Sequence, residues 1–289
     1  MAHTKPYKKI TRIHRGTGGH WVGDGFPVNT LFSYFADGGE VSPFLLLDYA
    51  GPAYFEPSKR PRGVETHPHR GFETVTIVIQ GEVEHKDSAG NAGKIGPGDV
   101  QWMTAARGIL HEEMHSREFT EKGGTLEMIQ LWVNLPAKDK MSEPHYQEIL
   151  SRSIPVLDLP DNAGTLRLIA GETGGLKGAA KTFTPVTLWD IQLKGGKSVE
   201  LSLPEGHNTM LLVLSGEIGT DGEKLKPKEL AHFERSNSAL VLHAEADSHV
   251  LLMGGEPILE PIAGRGPFVM NTQAEIKDAM VDYAMGRFA

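Results

Sequence analysis

With 289 residues the chain is long enough to bury a sizeable core, and its length leans towards two domains. It is 39% hydrophobic and 23% charged, as in soluble globular proteins, and its 34 Gly and 18 Pro favour many short strands over long helices. A net charge of -8 argues against a general nucleic-acid binder, and the lack of cysteine excludes disulfides, Cys-ligated zinc and iron–sulfur clusters, leaving any metal to His and carboxylate.

From the start of the chain, PYKKITRIHR (6–15) is basic but short and reads as a solvated strand. The N-terminus shows no apolar h-region and no window is long and apolar enough to span a bilayer, so a cytoplasmic protein without membrane association is expected. Short β-segments are predicted at 31–35, 44–47, 73–80, 100–103 and 127–135. Turn clusters lie between them, HKDSAGNAG at 85–93 and IGPGDV at 95–100, and suit hairpins in a closed or sandwiched β-fold. Residues 136–147, PAKDKMSEPHYQ, are polar and Pro-bounded and read as a linker.

A second β-rich region, about 165–253, repeats the first. ETVTIVIQGEV at 73–83 aligns without gaps on NTMLLVLSGEI at 208–218, and KIGPGDV at 94–100 resembles KLKPKEL at 224–230. Domains are therefore expected at 1–135 and 148–265, with a C-terminal segment at 266–289. Carried back, the alignment places Ser202 opposite His67 and Pro204 opposite His69, so the second copy is expected to be scaffold without metal ligands. His207, His232, His243 and His249 miss the equivalent positions and read as surface or hydrogen-bonded residues. In the tail, Thr272 and Glu275 predict a capping box, followed by a helix with Ile276, Met280 and Tyr283 on one face. That helix is expected to dock on one of the β-domains, with Met280 and Met285 in packing roles.

The chemistry points to His67 and His69, one residue apart in an extended stretch and so on one face. HEEMH at 111–115 supplies the other half: in a strand, His111 and Glu113 face together and Glu112 faces away. Three imidazoles and a carboxylate suit a first-row divalent ion, with two of six positions open for a chelating substrate or dioxygen. The same pentapeptide fits the H-E-x-x-H pattern of zinc peptidases, which requires a helix there and leaves His67 and His69 without a role. In the strand reading His115 is a packing residue or a neighbour of a ligand. Glu73 has the parity to join His67 and His69, as a ligand, a hydrogen-bonding neighbour or a buried base; its alternative is an ion pair with Arg70 or Arg107. Phe72, Trp102 and Met103 are candidate core.

HPHRGFETV (67–75), PGDVQWMTAARGILH (97–111), GPFVMNT (266–272) and HWVGDGFPV (20–28) together resemble the pirins, a branch of the cupin superfamily, over nearly the whole chain. The resemblance implies an all-β fold of two cupin-type jelly-roll barrels with a short C-terminal helix, the N-terminal barrel binding a metal through His67, His69, His111 and Glu113. In many other cupins the carboxylate ligand stands at the place of Glu73. It further implies one divalent ion, Fe(II) first, with Mn, Co, Ni, Cu or Zn also accepted by such a set. The activity implied is that of quercetin 2,3-dioxygenase, with a flavonol-like substrate, dioxygen, and Glu113 as the catalytic acceptor of the flavonol 3-hydroxyl proton. The alternative is a non-enzymatic, iron- or redox-sensing regulator acting through a protein partner. A monomer is expected in either case.

Overall fold

The structure is a computed structural model that describes residues 7–16 and 18–288; Pro6 of the basic N-terminal stretch lies outside the described residues. Most of the predicted β-segments form strands, and 31–35 is the exception in part. There Phe26–Ser33 is a strand that gives way to a helical turn, Tyr34–Asp37. The run Phe72–Gln80 shows why sequence dictates structure here: β-branched residues at 74 to 77 suit the pleat, and it is buried on both faces along most of its length.

The chain forms two compact units. One comprises the described parts of Thr17–Ser151 and Ile258–Ala289, the other those of Met1–Gly16 and Arg152–Pro257. The first contains a seven-stranded sheet in the order His145–Ile149, Val100–Thr104, Phe72–Gln80, Gly124–Asn134, Phe44–Phe55, Phe26–Ser33, His20–Val22. Its second sheet has four strands, in the order Gly63–His69, Ile109–His115, Val83–Asp87, Ala92–Ile95. Neighbours are antiparallel throughout.

The other unit repeats this plan with its own seven-stranded sheet and a four-stranded one, Ser198–Ser202, Ala239–Ala244, Ile218–Thr220, Glu223–Leu225. The repeat read from residues 73–83 and 208–218 is thus a repeat of structure. Ser202 pairs with Ala239 where His67 pairs with His111, so these two positions of the second copy carry no histidine. Its interior is apolar instead, a cluster that includes Leu166, Trp189, Ile191, Leu211, Val213 and Leu252.

Residue membership of the units differs from the sequence expectation at three places. Strand Ile10–Arg15 adds to the edge of Glu229–Phe233, so the N-terminal strand belongs with 152–257. The tail from Ile258 belongs with the N-terminal cupin unit. Residues 136–147 are no free linker: Lys140 is buried, and His145–Ile149 pairs with Val100–Thr104 as an edge strand. Lys140 Nζ donates to Asn134 Oδ1, the Gly71 carbonyl and the Val269 carbonyl at 2.6, 2.7 and 3.0 Å, although Lys138, Glu143 and His145 of the same stretch are exposed.

The capping box is formed, with Thr272 Oγ1 accepting from the Glu275 amide and the Glu275 carboxylate accepting from the Thr272 amide. Helix Gln273–Ala284 docks through Ile276 and Ala279 on a cluster with Ala263, Phe268, Met270 and Phe288. Met280 and Met285 are exposed, contrary to expectation, because Ala279 rather than Met280 continues the face begun by Ile276; Tyr283 is partly exposed but keeps to that face, its ring 6.1 and 5.7 Å from those of Phe268 and Phe288.

Candidate metal centre

Ile109–His115 alternates strictly between buried and half-buried positions, with Ile109, His111, Glu113 and His115 buried. This is the period of a strand, and it overturns the helical H-E-x-x-H reading. Glu112 leaves on the opposite face from His111, so the pentapeptide cannot offer both histidines and a water-activating Glu to one ion. His115 lies farther along, ringed by Phe26, Phe55 and Phe119, with Nε2 2.9 Å from the Gly25 carbonyl. It is a packing residue.

His67 stands directly opposite His111 in the antiparallel ladder, and Ile109 opposite His69. The ligand atoms of His67, His69 and His111 all lie within 4.8 Å of one another, and ring centroids are 4.3 to 4.9 Å apart. The register shift between His111 and Glu113 falls in the pairing with Gly63–His69, and uninterrupted alternation along 109–115 keeps Glu113 on the inner face with His111. There its Oε1 is 3.0 Å from the Thr76 hydroxyl, which is also 2.6 Å from the side-chain oxygen of Gln130. Along Phe72–Gln80, Phe72 touches His69, Thr76 touches Glu113, and Val78 enters an apolar cluster with Val83 and Ile95. One strand therefore carries the site at one end and the core at the other.

The donor set fits a cation. His67 Nδ1 is 2.9 Å from the Glu65 carbonyl, which fixes the tautomer and frees Nε2. Buried nitrogens without a hydrogen-bond partner occur at His69 Nδ1 and at both ring positions of His111. Orphaned buried polar atoms are costly and rare, and a metal ion satisfies them. Burial, reinforced by the neighbouring imidazoles, holds His69 and His111 well below the usual histidine range. They are neutral, with lone pairs available, as ligation requires. Burial pushes Glu113 up, while His67 and the Thr76 hydrogen bond oppose that rise. His67 is half-buried where His69 and His111 are buried, so solvent approaches the centre from the His67 side.

Glu73 is not part of this group. It is three residues from Thr76 along an unbroken ladder, so its side chain leaves on the opposite face, where Thr104 Oγ1 donates to it at 2.7 Å. The expected ion pairs also fail, since Arg70 pairs with Asp282 and Arg107 with Glu143. Burial raises Glu73 to about 7. Phe72, Trp102 and Met103 are buried as expected, Trp102 on the Glu73 side of the sheet. Of the second unit's histidines, His243 and His249 are hydrogen-bonded, to Ser198 and Asp190.

One inner-face histidine escaped the sequence reading. His85, opposite Glu113 in the ladder, stacks on Tyr146 at 4.4 Å between centroids with Nε2 at the Tyr146 hydroxyl. It falls in HKDSAGNAG, where Val83–Asp87 remains strand and the turn begins later. The inward alternation of Val83, His85 and Asp87 was the available signal.

The sequence profile described as Pirin matches residues 25–133, and that of the Pirin C-terminal cupin domain matches 188–289. A Pseudomonas aeruginosa protein named "Putative quercetin 2,3-dioxygenase PA2418" is 56% identical, over 97% of this chain and 98% of its own. Human Pirin is 41% identical, over 84% of this chain and 81% of its own. The crystal structure of a quercetin 2,3-dioxygenase from Acinetobacter baumannii superposes with a TM-score of 0.95 at 51% identity, covering 98% of this chain and 99% of that one. With its two cupin domains, one of them lined by a histidine cluster, the chain belongs to the pirin family.

Proposed function

We propose that the protein is a metal-dependent dioxygenase of the quercetin 2,3-dioxygenase type, cleaving a flavonol with dioxygen. Its ligands on this reading are His67, His69, His111 and Glu113. The observation that carries it is the convergence of three imidazoles, with buried nitrogens of His69 and His111 that have no protein partner. The names of relatives at 51% and 56% identity support the substrate class.

Fe(II) held there would bring a chelating flavonol and dioxygen together and mediate electron exchange between them. The protein's own part is proton handling and orientation. Burial makes Glu113 a better base than an exposed glutamate, suited to take the 3-hydroxyl proton as the substrate docks. The Thr76 hydroxyl fixes the carboxylate's orientation and so aims its free lone pairs. Buried Phe72 and half-buried Trp132, against His69, limit water at the reacting edge.

The test is oxygen consumption with quercetin by protein reconstituted anaerobically with Fe(II), beside the His67→Ala variant, with metal analysis of both. Metal-dependent uptake that disappears in the variant is expected. Metal bound through His67 without uptake would overturn the enzymatic reading in favour of a metal-sensing role.

A further inference from the structure

His69 leads directly into a turn, Arg70 and Gly71, before the chain re-enters the other sheet at Phe72. Gly71 is held from the N-terminal part of the chain, its amide donating to the Ala106 carbonyl and its carbonyl accepting from Lys140, both at 2.7 Å, whereas Arg70 is held by the C-terminal segment. The Pro267 carbonyl accepts from the His69 ring and from the Arg70 amide, at 3.2 Å for the amide. The Val269 amide donates to the Arg70 carbonyl at 3.0 Å. A Cβ on Gly71 would meet the Val269 carbonyl oxygen at 2.0 Å, so only glycine, at φ +91°, lets the two backbones close.

The tail helix then grips Arg70 itself. Its guanidinium is 2.8 Å from Asp282 Oδ2 and lies over the Phe288 ring at 4.5 Å, with the Arg70 side chain only 6% exposed. Phe288 also lies against Gly108, where an added Cβ would meet the ring at 3.0 Å. Gly108 precedes Ile109, the residue paired with His69, so the tail covers the shared end of both ligand-bearing strands.

We propose that the C-terminal segment is a working part of the metal centre: Pro267, Asp282 and Phe288 are positioning residues that hold the Arg70 turn, and with it His69, at the geometry an ion requires. This rests on the assignment of His67, His69 and His111 as ligands. Neither Asp282 nor Phe288 touches the ion; each acts through Arg70. Partners of this kind fix ring orientation, and their loss commonly costs metal affinity about tenfold or more.

The probe is Co(II), whose visible spectrum reports ligand geometry. Loss of Co(II) to excess chelator is followed in the parent protein, in Asp282→Asn, Phe288→Ala and Asp282→Glu, and in Met280→Ala on the exposed side of the same helix. Asp282→Asn and Phe288→Ala are expected to lose Co(II) about tenfold faster and with an altered spectrum, with Asp282→Glu restoring both and Met280→Ala matching the parent. Asp282 is partly exposed and Asn can still accept from Arg70, so Asp282→Asn is the milder of the two, and its metal-free unfolding temperature is measured beside the parent's. Parental rates and spectra in both variants would overturn the proposal, as would faster loss with an unchanged spectrum and a matching fall in the unfolding temperature of the metal-free protein. Failure of the ligand assignment is read separately, as Co(II) retained by His67→Ala.

Discussion

At the scale of single residues, His111→Ala should abolish metal binding, because His111 is 1% exposed and both its ring nitrogens lack protein partners. Metal analysis after reconstitution checks it. Glu113→Gln should weaken binding and suppress turnover while Glu112→Gln does little, since the two side chains leave on opposite faces; oxygen uptake by the two variants separates them. Glu73 gives a pH signature. Its carboxyl is raised from 4.5 to about 7 in the folded protein, so it contributes stability that is present below pH 4.5 and lost as pH rises through 7. Glu73→Gln should therefore match the parent at pH 4 and exceed it by up to about 3 kcal/mol at pH 8, read from urea midpoints. Alternation alone placed His111 and Glu113 on one buried face, because no turn interrupts 109–115. It failed for Glu73 because the Arg70–Gly71 turn resets parity between His69 and Phe72, and a turn's geometry is not written in the alternation.

Among elements, the C-terminal helix shows how far local rules reach. The Thr272 and Glu275 pair was legible because both partners of a capping box lie within one turn. Thr272→Ala should cost about 1 kcal/mol, measured as a lower thermal midpoint. The buried face was misjudged at Met280 because side-chain size favours it over Ala279, yet it is Ala279 that is fully buried against the Ala263–Arg265 and Phe268–Met270 hairpin. Ala279→Leu should accordingly destabilise by about 1–3 kcal/mol, whereas Met280→Ala should stay within about 0.5 kcal/mol. The same substitutions compared by chemical denaturation check the assignment of faces.

On the scale of the whole molecule, the repeat was visible because both copies keep the same strand and turn chemistry at 73–83 and 208–218. Which ends belong to which unit was not visible, since strand exchange depends on pairing partners more than 200 residues away, as between Arg12 and His232. No helix among the described residues is long and apolar enough to cross a membrane. Lys8 shows how firmly the N-terminal strand is joined to its unit. Its buried ammonium reaches the carbonyls of Glu234, Arg235 and Ser236 at 3.0 to 3.5 Å. The tail makes the reciprocal attachment through Arg70 and Lys140. During synthesis, residues 63–115 leave the ribosome with all three histidines in hand, but the carbonyl that steadies His69 follows about 150 residues later, given typical rates of 5–20 residues per second. On the proposed role of the tail, any ion captured in that interval of several seconds would meet an unfinished socket, and the centre would reach its full affinity last, when the chain has closed on itself.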